Sequence, residues 1–137
     1  MIEKYTFNDK DLERSGIGGL WMKRFVTAED LSFRAGFGKK EPKTSSEGVY
    51  WYHEFLHIMS GKGQYSCEPS RWNPEKRSFT AEKGDAVYIQ KGTKWRVECI
   101  SDEPLVFFYV AIPASSQGLD YELFPATTDK PSPSKTS

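Results

Sequence analysis

Glu54 stands in the run Tyr50-Trp-Tyr-His-Glu54-Phe-Leu-His57-Ile-Met, a carboxylate set among aromatic and aliphatic side chains. Removal from water disfavours the charged form and raises a carboxyl pKa, which makes such a group a general acid or base near neutral pH. Its alternative use is structural, as a partner for Arg34, Lys23 or a tyrosine hydroxyl. Tyr50, Tyr52, Tyr88 and Tyr109 carry O–H donors suited to a carbonyl or enolate oxygen, and Trp95 carries one N–H. Each of these rings is equally at home as core packing. Gln90 and Arg34 complete the set of ligand-binding candidates, with Glu54, Tyr52 and His57 as the catalytic ones. His57 and His53 flank Glu54 and open a second possibility, a metal held by Glu54 and imidazoles. Cys67 and Cys99 are too few and too far apart for a disulfide scaffold or a zinc site, and Cys99 reads as a small apolar core residue.

Only strands would bring these groups together. Successive side chains of a strand point to opposite faces. If Val49 to Met59 is a long strand or a strand pair, Tyr50, Tyr52, Glu54, Leu56 and Ile58 share one face. His53, Phe55, His57 and Met59 share the other. With Glu54 inward, both histidines point away, and only a β-bulge would turn His57 inside. Leu20 to Val26 reads as a strand, Thr27 to Asp30 as one helical turn, and Ser32 to Phe37 as a half-buried strand. Gly38 to Gly48, rich in Lys, Pro, Ser and Thr, reads as a loop, and Ser60-Gly-Lys-Gly63 as a hairpin turn. Gln64 to Cys67 continues beyond it, and Glu68 to Arg77 is a longer loop. Phe79-Thr-Ala, Ala86 to Gln90, Trp95 to Ile100 and Leu105 to Ile112 complete the strands. Short strands with no helices between them mark an all-β sandwich or barrel. Residues 126–137, all Pro, Ser, Thr, Lys, Ala and Asp, have no apolar pattern and read as a disordered tail.

Gly84-Asp-Ala-Val-Tyr-Ile-Gln90-Lys-Gly92-Thr-Lys-Trp95 resembles the second cupin motif, which runs Gly, five residues, Pro-x-Gly, two residues, His. Gln90 stands for the proline and Trp95 for the histidine. Glu54-Phe-Leu-His-Ile-Met-Ser-Gly61-Lys-Gly63 is similar to the end of the first motif. The resemblance implies a cupin jelly-roll β-barrel with an open mouth. Its motif core spans residues 31–113, within a single domain of residues 1–125 that carries a short N-terminal extension. A cupin metal site takes His-x-His ahead of the glutamate and the histidine of the second motif. Here the first pair falls on Gly48 and Tyr50, or on Glu47 and Val49, and only Glu54 survives. One carboxylate does not hold iron, manganese or zinc. The chain is therefore similar to small, metal-poor cupins related to ethanolamine-utilisation proteins, in which Trp-x-Tyr-x-Glu replaces the histidine pair. The stretch here is Trp51-Tyr-His-Glu54. No cofactor is expected.

The 19 basic and 19 acidic residues cancel, so the chain lacks an electrostatic footprint for nucleic acid or for a membrane surface. No apolar run approaches a membrane span, Met1-Ile-Glu-Lys-Tyr opens no signal peptide, and a cytoplasmic protein is expected. A 15% aromatic content suits a barrel holding a small organic molecule. Three readings follow. Glu54 moves a proton in a metal-independent isomerase, cyclase, dehydratase or decarboxylase. Or the barrel only binds its molecule and Glu54 is structural. Or an atypical metal site uses Glu54 with His57. The Val49–Met59 strand is apolar on both faces, so its outward side needs cover, and a homodimer is expected.

Overall fold

The computed structural model describes residues 2–15, 18–29, 32–71 and 73–113. Ten strands follow a single 3₁₀ turn at Asp9–Asp11. They are β1 (Glu13–Arg14), β2 (Leu20–Thr27), β3 (Arg34–Lys40), β4 (Ser45–Val49), β5 (His53–Ser60), β6 (Lys62–Glu68), β7 (Arg77–Glu82), β8 (Ala86–Ile89), β9 (Lys94–Cys99) and β10 (Leu105–Ile112). One sheet has the order β1-β2-β3-β10-β5-β8 and the other β4-β9-β6-β7, all antiparallel. Leu56, Ile58 and Phe107 from the first sheet and Tyr65, Trp95 and Cys99 from the second bury into one core. No ladder joins the two sheets among the described residues, which makes an open-sided jelly roll. No helix among those residues is long and apolar enough to cross a membrane. The expected boundary at residue 125 and the tail of residues 126–137 lie outside the described residues.

The inner face of the larger sheet is built in cross-strand rows that alternate large and small residues. Phe107 pairs with Gly38, Tyr109 with Gly36, and Ala111 with both Arg34 and Glu54. A Cβ on Gly38 would lie 2.3 Å from the Phe107 ring, so the missing side chain is where the ring rests. Lys40 closes the far end. It is 1% exposed, and its Nζ donates to the Gly18 carbonyl and to Ser46 Oγ, each at 3.0 Å, which ties β3 to the opposite sheet. The outer face carries a second aromatic cluster. Phe25, Phe37 and Phe108 pack together there, and Tyr5 and Phe7 of the N-terminal segment lie over Phe25 and Phe37.

Three expectations fail, the first at Thr27, which ends β2 instead of opening a helical turn. Gly38 to Gly48 is not a loop, because β3 runs to Lys40 and β4 begins at Ser45. Only Glu41 to Thr44 form a turn, and the flanking polar residues are strand residues that alternate inward (Lys40, Ser46) and outward (Lys39, Glu47). Nor does Ser60–Gly63 form a hairpin. β5 pairs with β10 and β8, whereas β6 pairs with β7 and β9, so the chain turns a corner from one sheet to the other at Gly61. Gly61 has φ +79°, and a Cβ there would sit 2.3 Å from the Pro104 carbonyl oxygen and 2.7 Å from Leu105 Cα. Gly84 also has a positive φ, +94°, but nothing lies within 4 Å of a Cβ there. Gly84→Ala should therefore lose only the ~1–2 kcal/mol of a left-handed non-glycine residue. Gly61→Ala should lose a further ~1–3 kcal/mol from overpacking against fixed backbone. Urea unfolding of the two variants beside the wild type measures the difference, and equal losses would contradict the crowded corner.

Candidate functional site

Glu54 lies in a row that crosses the larger sheet, Ile89–Glu54–Ala111–Arg34. Ala111 is the small middle member, and neighbouring strands lie ~4.8 Å apart, so the long Arg34 side chain can reach across it. Arg34 lies over the Tyr52 ring at 4.6 Å and the Trp51 ring at 5.6 Å. Glu54 is 6% exposed. Burial raises its pKa from 4.5 to about 8, against the opposing pull of the Arg34 charge and a hydrogen bond from the Tyr50 hydroxyl. Below that pH the group is a neutral carboxylic acid that can give up a proton.

Aromatic rings wall off this carboxyl. Tyr50 stacks on Tyr52 at 4.3 Å and lies 4.8 Å from the Trp95 indole. Trp95 projects from β9 opposite Gly48 of β4, whose lack of a side chain leaves room for the indole. Its ring N–H is buried with no hydrogen-bond partner. Such a group is normally satisfied, so the orphan calls for a ligand or a water. Burial also pushes the Tyr50 and Tyr65 hydroxyls up from their usual pKa, with the Glu54 charge as the next cause, so both stay protonated donors. Glu54, Tyr50, Tyr65, Trp95 and Lys40 line one inner cavity of about 30 Å³. A larger pocket of about 120 Å³ opens at the mouth, among Cys67, Asn73, Arg77, Gln90 and Thr93. Tyr65, Ile89 and Trp95 line both spaces and form the partition between them.

The expected residues sort by face. Glu54, Tyr50 and Trp95 meet at the inner cavity, and Gln90 stands at the mouth. Tyr52 is buried beside them, against Tyr50 and beneath Arg34. Tyr50 and Tyr52 come close to Glu54 through the link between β4 and β5, since residues 50–52 are not part of a strand. Tyr109 is buried on the same sheet face but does not line the cavity, and its hydroxyl hydrogen-bonds to Arg24. His57 must be corrected: it is exposed on the outer face. A β-bulge does occur on this edge, but opposite Val106 and Phe107, beyond Ile58, so the alternation through His57 stays regular. Tyr88 lines the mouth pocket, while its half-exposed ring stacks on Phe55 at 4.7 Å and its hydroxyl lies 2.8 Å from His53 Nδ1. Sequence reasoning missed Lys40, Tyr65 and the mouth residues Cys67, Asn73, Arg77 and Thr93. The period-two run Gly36, Gly38, Lys40 was the available signal for the first of them.

The positions that the cupin resemblance gives to metal ligands hold Gly48 and Tyr50, or Val49 and the exposed Glu47, together with Glu54 and Trp95, and none is a histidine. Among the described residues no group of three His, Cys, Asp or Glu stands close enough to share an ion. With both histidines on the opposite face, these residues do not fit a resident transition metal.

The buried carboxyl also predicts a pH dependence. Between pH 4.5 and about 8 the folded chain holds a proton on Glu54 that the unfolded chain has released. The stabilisation linked to that proton is complete at the acid end and is lost as pH rises through about 8, by roughly 3–5 kcal/mol in total. Denaturant unfolding across this range should show the decline in the wild type. In Glu54→Gln the slope should be missing, and an unchanged slope would mean the carboxyl is not desolvated.

No protein-family model matches the chain, and no curated protein matches it. Solved structures do. A putative ethanolamine utilization protein Q from Salmonella typhimurium is 24% identical, with a TM-score of 0.56 over 70% of this chain and 71% of that one. The cupin domain of Cnp3 from Schizosaccharomyces pombe is 15% identical, with a TM-score of 0.66 over 80% of this chain and 73% of that one. A Cupin 2 conserved barrel domain protein from Salinispora arenicola is 20% identical, with a TM-score of 0.62 over 83% of this chain and 91% of that one. The jelly-roll topology agrees with these matches, and the chain has the cupin fold.

Proposed function

We propose that this barrel binds a small carbonyl-containing organic molecule and that Glu54 transfers a proton to or from it. The supporting observation is the neutral, buried Glu54 carboxyl beside an indole N–H that has no hydrogen-bond partner. The molecule would enter through the mouth pocket and present its reacting end to the partition. The Tyr65 hydroxyl would hold negative charge as it develops on the carbonyl oxygen, with the Trp95 N–H binding the head of the molecule. Glu54 would give its proton and take one back, with the Tyr50 hydroxyl holding the carboxylate form in between. Isomerisation, cyclisation, dehydration and decarboxylation all need only this equipment.

The inner cavity is small, and that favours a second reading in which the mouth pocket binds a ligand and Glu54 has only a structural part. Turnover of carbonyl compounds by purified wild type and Glu54→Gln separates the two. Proton transfer requires a fall of about 10²–10⁴-fold in kcat for the variant. Unchanged turnover would assign the carboxyl to structure.

Assembly and setting belong to the same reading. Phe55 and Tyr88 are 48% and 50% exposed on the outer sheet face, beyond the part covered by Tyr5 and Phe7. An isologous pairing of that face would bury them. Light scattering should give twice the chain mass for the wild type and the monomer mass for Phe55→Arg; a monomeric wild type would overturn the pairing. The free Cys67 and Cys99 are compatible with a reducing, cytoplasmic setting.

A further inference from the structure

The inner cavity has a mostly apolar wall, into which Lys40, Tyr50, Tyr65 and Trp95 bring donor-bearing side chains. Lys40 lies on one side of it, and its Nζ donates to the Gly18 carbonyl and Ser46 Oγ. Trp95, 5% exposed, brings a ring N–H with no partner. Tyr50 and Tyr65 bring hydroxyls that burial keeps protonated. About 30 Å³ is room for one or two water-sized groups, which is the scale of a carboxylate and too little for a substrate body. The mouth pocket, on the other side of Tyr65, Ile89 and Trp95, offers about 120 Å³ and is lined by the ion pair of Arg77 and Glu75.

From this arrangement we infer that the inner cavity is the seat of the carboxylate of a small organic acid, with Trp95 N–H as its direct donor and Lys40 as its counter-charge. The rest of the acid lies in the mouth pocket. This names the substrate class of the site proposed above and rests on that reading's placement of the ligand, but not on proton transfer. Glu54 does not oppose the anion while it is neutral, and its O–H adds a donor. The charged and titratable groups around it are Arg34 and Lys40 of β3, Tyr50 of the β4–β5 link, Tyr65 of β6 and Tyr109 of β10. The two cations favour the anion, and the tyrosines stay neutral donors. Ionisation of Glu54 at about pH 8 would set two negative charges side by side.

Titration of ¹⁵N-labelled protein with formate, acetate and the neutral acetamide tests this directly. The indole N–H resonance of Trp95, assigned by its disappearance in Trp95→Phe, should move with formate and acetate and stay still with acetamide. No movement with either anion, or equal movement with acetamide, would overturn the inference in the wild type alone. Lys40→Met should weaken formate binding by about tenfold or more, the loss of a charged partner, and undiminished binding in a folded variant would also overturn it. Raising the pH through about 8 should release formate from the wild type but not from Glu54→Gln. Formate binding that survives while Glu54→Gln keeps full turnover would sink the proton transfer and leave the carboxylate seat standing.

Discussion

Taking one carboxyl out of water organises the interior of this protein. A charged Glu54 in the core would be poorly solvated, so the neutral form is favoured until about pH 8. Everything around it acts on that balance. Arg34 and the Tyr50 hydroxyl pull toward the charged form, and the closed shell of Tyr50, Tyr65 and Trp95 pushes away from it. Without that shell Glu54 would be an ordinary solvated glutamate on a strand. With it, the carboxyl is a neutral acid hydrogen-bonded to the Tyr50 hydroxyl.

The frame that holds the carboxyl there is geometric. Rows across the larger sheet place a glycine or an alanine wherever a ring or an arginine must lie flat: Gly38 under Phe107, Gly36 beside Tyr109, Ala111 between Glu54 and Arg34. Gly48 serves the same purpose for Trp95 on the facing sheet. Aromatic area and small residues are thus two halves of one packing solution. It explains how a chain this rich in rings buries Trp95 and Tyr109 while leaving room for a cavity.

Much of this could be read before any coordinates. The period-two pattern of β5 put Glu54, Leu56 and Ile58 on one face and His57 on the other, and the ladder to β10 keeps that assignment. The motif glycines Gly84 and Gly92 fall at turns with positive φ, and Trp95 occupies the place expected of it. What failed did so for local reasons. A Lys- and Ser-rich stretch looked like a loop because composition does not reveal that Lys40 spans two sheets. Tyr65 and Arg77 were passed over because pairing between β6, β7 and β9 brings them to the site, and pairing between distant strands leaves no mark in a short window.

The partition formed by Tyr65, Ile89 and Trp95 has a consequence for which molecules this barrel could tell apart. A wall between a narrow chamber and a roomier one measures length: a molecule with its head seated behind the wall has its next atoms fixed at the wall itself. Discrimination among homologous compounds would then depend on the girth of the aliphatic Ile89 more than on any charged residue. Drift at that single site could retune the preference of the barrel and leave its fold untouched.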